Sequence, residues 1–156
     1  MPLSLPDLPP DFAFPALTLS AADSDFAFEV KRAALGLYIE EKWGWDEAFQ
    51  RKMHADRYSA VAAYAITYQD QRIGTIGFTQ KDDHARIGEF YILPSFQNLG
   101  LGSRILQHCI DQTNAAGLDL RLEYLKWNPV GALYRRFGFV DTHETDTHYH
   151  LIRKAD

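Results

Sequence analysis

The run Gly88-Glu89-Phe-Tyr91-Ile-Leu-Pro-Ser-Phe-Gln97-Asn-Leu-Gly100-Leu-Gly102-Ser-Arg104-Ile-Leu-Gln-His-Cys-Ile110 decides how this chain is read. Its first part has strand character: Phe90, Tyr91, Ile92 and Leu93 are aromatic or aliphatic, and Pro94 ends them. Its last part has helix character. Leu101, Ile105, Leu106, Cys109 and Ile110 recur at helical spacing, with Arg104, Gln107, His108 and Asp111 opposite. A helix start normally collects Asp or Glu, because unbonded N–H groups and the macrodipole make it positive. This one has no acid before Asp111; it has Gly100, Gly102 and Arg104 instead. Glycine lets a ligand approach the main chain closely. The junction therefore reads as an anion site, with phosphate the natural occupant. A glycine-rich turn kept for tight packing is the alternative.

Two phosphate loops with fixed signatures do not fit. A Walker loop requires Gly-x-x-x-x-Gly-Lys-Ser/Thr, which is absent. A dinucleotide fingerprint requires a third glycine where Ile105 stands, directly after a strand. Here Pro94 to Leu99 intervene, although Glu123 falls about twenty residues on, as that motif would place an acid.

Gln97-x-x-Gly100-x-Gly102 resembles the pyrophosphate-binding signature Gln/Arg-x-x-Gly-x-Gly/Ala of the GCN5-related N-acetyltransferases (GNAT). Asn128-Pro-Val-Gly-Ala132-Leu-Tyr134-Arg-Arg-Phe137-Gly138-Phe139 resembles that family's later motif, Asn-x-x-Ala-x-x-Leu-Tyr-x-x-x-Gly-Phe. The resemblance covers about residues 16 to 154. It implies acetyl-CoA as donor and an amine as acceptor.

Composition bounds the rest. The chain has 156 residues, 46% hydrophobic and 24% charged, enough for one domain with a proper core. Its net charge of -5 argues against broad nucleic-acid binding. One cysteine, Cys109, excludes an intrachain disulfide, suits a reducing, cytoplasmic setting, and falls on an apolar helix face. The first residues lack a signal-peptide pattern, and no apolar run reaches membrane-spanning length, so no membrane partner is expected.

Residues 1–15 hold Pro2, Pro6, Pro9, Pro10 and Pro15 and read as an irregular lead-in; residues 16–156 are expected to form the N-acetyltransferase domain. Ala16–Leu19 reads as a first strand. Ser20 or Asp23 caps a helix whose apolar face is Phe26, Val30, Ala33 and Leu37. Trp43 to Asp46 breaks it, and Asp46 caps a second helix. Strands are expected at 59–68, 72–81, 85–93, 119–125, 139–143 and 148–153, with helices at 100–116 and 130–137. The expected fold is a single α+β domain with a mixed, mostly antiparallel sheet, in the order β-α-α-β-β-β-α-β-α-β-β. This is also the element order the resemblance implies.

Acyl transfer from a thioester needs a base for the amine, a donor for the oxyanion and an acid for the leaving thiolate. No Gly-x-Ser-x-Gly elbow is present and Cys109 has no catalytic context, so direct attack by the amine is the economical route. The resemblance makes Tyr134 the general acid. Glu89 is the candidate base. Period-two alternation puts it on one face with Tyr91 and Leu93, and Phe90 and Ile92 on the other; acceptor-binding and structural roles stay open for it. For the cofactor, the resemblance implies main-chain groups of Ile92 and Leu93 on the pantetheine. The amides of Gln97, Asn98, Leu99, Gly100, Leu101 and Gly102 would surround the pyrophosphate, with Ser103 and Arg104 at the helix opening. Asn128 would contact the cofactor from the other side, and Arg135 or Arg136 a phosphate. Relatives often carry Lys, Arg or Gln in place of Leu99.

The acceptor wall implied lies between the first two helices, with Glu40, Glu41, Trp43, Trp45, Asp46 and Gln50, which would suit a cationic amine. Tyr91 and Glu123 complete the acceptor set, Glu123 also standing as substitute base. His148-x-His150 offers two ligands on one strand face, too few for a metal site. The sequence thus favours an acetyl-CoA-dependent N-acetyltransferase. A non-catalytic acyl-CoA-binding module and a nucleotide-binding regulator are the competing readings, and a homodimer is open.

Overall fold

The computed structural model describes residues 3–58 and 63–156. Its elements are β1 (Phe12–Ala13), α1 (Ala21–Trp43), α2 (Glu47–Tyr58), β2 (Ala63–Tyr68), β3 (Gln71–Gln80), β4 (His84–Ile92), α3 (Leu101–Ala116), β5 (Asp119–Leu125), α4 (Gly131–Arg136), β6 (Val140–Glu144) and β7 (His148–Arg153). A single 3-10 turn, Pro94–Phe96, joins β4 to α3. The strands form one sheet in the order β1-β2-β3-β4-β5-β7-β6. Pairing is parallel between β4 and β5 and antiparallel in β1–β2, β2–β3, β5–β7 and β6–β7. The α+β class and the element order are those expected. The start of the strand expected at 59–68, residues 59–62, lies outside the described residues.

Two local expectations are corrected. The first strand is Phe12–Ala13, opposite Tyr68 and Thr67, not Ala16–Leu19, where Ala16 makes an isolated bridge to Tyr64. Burial decides this: Phe12 is buried, whereas Leu19 is exposed. In α1 the buried face is Phe28, Val30, Lys31, Leu35 and Ile39; of the expected face Val30 belongs to it, whereas Phe26, Ala33 and Leu37 do not, and Leu37 is 78% exposed. Phe28, Lys31, Leu35 and Ile39 also recur at helical spacing, and they bring more apolar surface than an alanine-containing face.

The chain divides into two compact units, Pro6–Gly77 with Glu89–Gln97, and Met1–Leu5 with Phe78–Gly88 and Asn98–Asp156. In the first, Ser20 starts α1 by accepting a hydrogen bond on Oγ from Asp23 N at 3.2 Å. The Asp23 carboxylate in turn takes the N–H and hydroxyl of Thr18 at 2.9 and 2.8 Å, a reciprocal cap. Asp46 starts α2, its Oδ1 accepting from Phe49 N at 3.1 Å. The two helices pack together, and Phe28, Ile66, Ile73 and Ile76 are fully buried in this unit. β3 approaches β4 closely here. A Cβ on Gly74 would lie 2.1 Å from the Tyr91 carbonyl oxygen, so only glycine fits.

In the second unit α3 packs on β5. Ile105, Leu106 and Ile110 are fully buried, each contributing about 1.5–3 kcal/mol relative to exposure. Gly117, in the left-handed region at φ 69, ends α3 and donates its N–H to Asn114 O at 3.1 Å. Gly131, the first residue of α4, is buried, and Tyr134 on the same helix meets Tyr124 at 5.8 Å and Phe139 at 5.9 Å between ring centroids. Among the described residues, no helix is long and apolar enough to cross a membrane.

Candidate active site

The start of α3 keeps the character read from the sequence. Its N-cap is Gly100, left-handed at φ 78; no side chain caps the helix, and no acid stands in the first turn. By helix geometry the N–H groups of Leu101, Gly102 and Ser103 have no acceptor within α3, whereas Arg104 N already donates to Gly100 O at 3.2 Å. Asn98 is also left-handed, at φ 62. Asn98, Leu99 and Gly100 are exposed, as is Arg104. Main-chain donors, a positive dipole end and a nearby cation together suit a phosphate.

The end of β4 is more constrained. Leu93 N donates to Ile73 O at 2.8 Å, and Leu93 O accepts from Phe96 N at 2.9 Å. Ile92 O accepts from Gln97 Nε2 at 2.8 Å. Gln97 therefore acts on its own strand end, through its side chain. Glu89 is left-handed, at φ 47, and its carbonyl accepts from Thr75 Oγ1 at 2.8 Å. This kink breaks the period-two alternation. Glu89, Tyr91 and Leu93 are not successive positions of one regular face, as the sequence reading had them.

Glu89 instead lines a pocket of about 30 Å³ with Ala27, Lys31, His54, Arg57, Tyr58, Ala63 and Thr75. That volume holds a water or a small charged head group, not a whole acceptor. None of Glu40, Trp43, Trp45, Gln50 and Tyr91 lines it. Glu40 and Trp43 are exposed. Trp45 donates Nε1 to Glu47 Oε2 at 2.7 Å, and Gln50 is buried. Tyr91 is half-buried.

His54 is the pocket residue that sequence reasoning missed most plainly. Its Nε2 lies 2.9 Å from Ser24 O and 3.1 Å from Ser24 Oγ. A carbonyl only accepts, so the hydrogen-bond network assigns the proton to Nε2 and leaves Nδ1 as a lone-pair site. Burial lowers the imidazole below its ordinary range, against the opposing pull of Ser24 and Glu89, which favours the neutral ring. Lys31, Arg57 and Tyr58 were missed as well. Their only sequence signal is Lys31 interrupting the apolar stripe of α1.

In the other unit Tyr134 is 5% exposed. Burial, with Tyr124 and Cys109 beside it, pushes its hydroxyl well above the usual phenol range. Cys109 is buried, and its thiol is pushed up by burial too. Arg135 is engaged: Nε and Nη2 make a two-pronged pair with Asp141 at 3.1 and 3.0 Å, and Nη1 donates to the Tyr124 hydroxyl at 2.8 Å. A phosphate at Arg135 would compete with Asp141; Arg136 is exposed. Asn128 opens the turn before α4, its Oδ1 accepting from Val130 N at 3.2 Å.

Glu123 pairs with Arg86 and, at 3.1 Å, with His150 Nε2. Burial works to raise its pKa, but these partners outweigh it and hold the carboxyl below its ordinary value, which weakens it as a base. His150 stacks on His143 at 4.2 Å. Among the described residues, no group of three or more His, Cys, Asp or Glu could hold a metal ion.

The Asn-to-Tyr spacing also carries a correction. Tyr134 follows Asn128 by six residues, one fewer than in the pattern it resembles, and Gly131 stands where that pattern counts Ala from the Asn. The structure gives the reason for the glycine: a Cβ there would lie 2.1 Å from the Tyr124 hydroxyl.

Comparison with known proteins identifies the family and the fold. Residues 59–141, more than half of the chain, match the family model described as an acetyltransferase (GNAT) domain. Among solved structures, the PaiA N-acetyltransferase from Thermoplasma acidophilum, in complex with coenzyme A, is similar at 17% identity, with 91% of this chain and 99% of that one covered and a TM-score of 0.70. PH1933 from Pyrococcus horikoshii OT3 is similar at 19% identity, covering 94% and 99%, with a TM-score of 0.70. The ribosomal-protein-S18-alanine N-acetyltransferase of Escherichia coli is similar at 18%, covering 92% and 95%, with a TM-score of 0.63. At these identities the likeness is one of fold. No curated protein sequence matches.

Proposed function

The chain belongs to the GNAT acetyltransferase family, and from that premise we propose that it is an acetyl-CoA-dependent N-acetyltransferase acting on a small-molecule or peptide amine. Under this reading residues 16–156 form the transferase domain. The observation that carries it is the start of α3: an acid-free first turn capped by left-handed Gly100, with Arg104 beside it, fits a pyrophosphate.

The reaction needs no covalent enzyme intermediate. The neutral amine attacks the thioester carbonyl carbon. A C–N bond forms, the C–S bond breaks, and the products are the amide and CoA. The amine's proton goes to a base, and the departing sulfur takes one from an acid. Tyr134 is the proposed acid: burial keeps its hydroxyl protonated, and also makes it a weaker donor than an ordinary phenol. Glu89 is the proposed base, directly or through one water. His54, neutral and with Nδ1 open, lines the same pocket and is the second candidate.

The test is binding and turnover together. CoA should raise the melting temperature, as any ligand of the native state does. Gly102→Glu should abolish that rise by placing a carboxylate where phosphate belongs. Acetyl transfer to members of an amine panel should accompany binding. CoA binding with no transfer to any amine leaves an acyl-CoA-binding module. A rise with ATP or NAD but not CoA overturns the reading.

A further inference from the structure

Lys31 is the anomaly of the first unit. It is 8% exposed, on the buried face of α1, and lines the pocket. A lysine is rarely buried without a partner. Among the described residues it makes no hydrogen bond and no ion pair. Arg57, on the same wall, is likewise without an ion pair among the described residues. The cations elsewhere around α1 and α2 are arranged differently: Arg32 and Arg51 both reach Glu47, and Lys52 reaches Asp56. The pocket therefore sets two basic side chains, neither in an ion pair among the described residues, against one carboxylate, Glu89, whose charge Lys31 feels.

We infer that the pocket is an anion subsite for the acceptor, and that the acceptor is an amine bearing a carboxylate, in the simplest case a free amino acid. This rests on the acetyl-transfer reading above. Its ammonium would pair with Glu89 and its carboxylate with Lys31 and Arg57. A polyamine or other purely cationic acceptor would have to bring charge beside Lys31 and Arg57, a like-charge contact that disfavours it. Ala27 and Ala63 contribute little bulk, and about 30 Å³ suffices for a carboxylate-sized group while the remainder of the acceptor stays outside. Burial lowers the Lys31 ammonium below the ordinary lysine range; the Glu89 charge pulls it back in part, and Arg57 lowers it again. An anion seated there would restore the proton affinity that burial removes.

The experiment uses matched probes: amino acids, their α-amides and their decarboxylated amines. Isothermal titration into the CoA-loaded protein reads the pocket without turnover, and kcat/KM with acetyl-CoA reads transfer. For at least one amino acid, the acid should bind tenfold or more tightly than its amide. Lys31→Met should bring the ratio toward one with the fold intact, and Lys31→Arg should restore it. Equal or better binding of the amides or amines, no binding by any amino acid, or an unchanged ratio in Lys31→Met overturns the inference even if amines are acetylated. A preserved binding preference without transfer supports the subsite and strikes the acetyl-transfer reading alone.

Discussion

Two side chains carry opposite demands on a proton. Tyr134 is buried among Tyr124, Phe139 and Cys109, and its raised pKa keeps the hydroxyl protonated across the neutral range. It is an acid that is always loaded but weaker than an ordinary phenol, and an alkyl thiolate is less basic than its phenolate, so burial works against the proton transfer rather than for it. Tyr134→Phe should lower kcat by roughly 10²–10⁴ while leaving CoA affinity nearly unchanged; steady-state rates and CoA titration check both halves. Glu89 faces the reverse task. If it deprotonates the amine, Glu89→Gln should depress kcat/KM most at low pH, and the loss should shrink as pH approaches the amine's own pKa. A loss independent of pH, with an intact fold, removes Glu89 from the role of base. Legibility differs between these residues. Tyr134 and Glu89 stood out in the sequence, one within a motif and one as a carboxylate on a strand. Lys31 did not, because a face containing lysine scores as polar until burial is seen. His54 did not either, since nothing local links it to a residue 35 positions later.

The elements were legible where periodicity and punctuation agreed. β5 and β7 fall at 119–125 and 148–153 as expected, and α3 runs to its Gly117 cap. β1 was misplaced because a two-residue strand has no period to read. Helix α4 shows what an element's first residue can depend on. A Cβ on Gly131 would meet the Tyr124 hydroxyl at 2.1 Å and Arg135 Nη1 at 2.5 Å. Gly131→Ala should therefore destabilise by about 1–3 kcal/mol despite alanine's better helix propensity. Urea unfolding measures this. Combined with Tyr124→Phe, which removes the nearest atom, the alanine should cost less than it does alone.

At the scale of the molecule, the fold class was legible because element order and two separated motifs agreed. The pocket was not, because its walls come from α1, α2, β2, β3 and β4, far apart in the chain. Acid stability is also distributed. Hydrogen bonds from the Thr18 main chain and hydroxyl, then Arg72, hold Asp23 below the usual carboxylate range. Glu47 is lowered by Trp45, Arg32 and Arg51, and Asp119 by the Ala155 amide and Lys154. A carboxyl lowered in the fold binds its proton less readily than in the unfolded chain. Its contribution is thus complete above the unfolded pKa and is lost as pH falls through the folded one. The melting temperature should hold above about pH 5 and fall progressively below pH 4. Asp23→Asn should flatten part of that fall, as calorimetry across pH would show.

The contact between Gly74 and the Tyr91 carbonyl has a kinetic side. The two strands meet through a three-residue turn, Lys81 to Asp83, so they can zip together early and can slip while doing so. A slip of one position would bring Ile73 or Thr75 to the place that has no room for a Cβ. The misaligned hairpin is thereby disfavoured on steric grounds. One missing methyl group acts as a proofreading device for strand alignment.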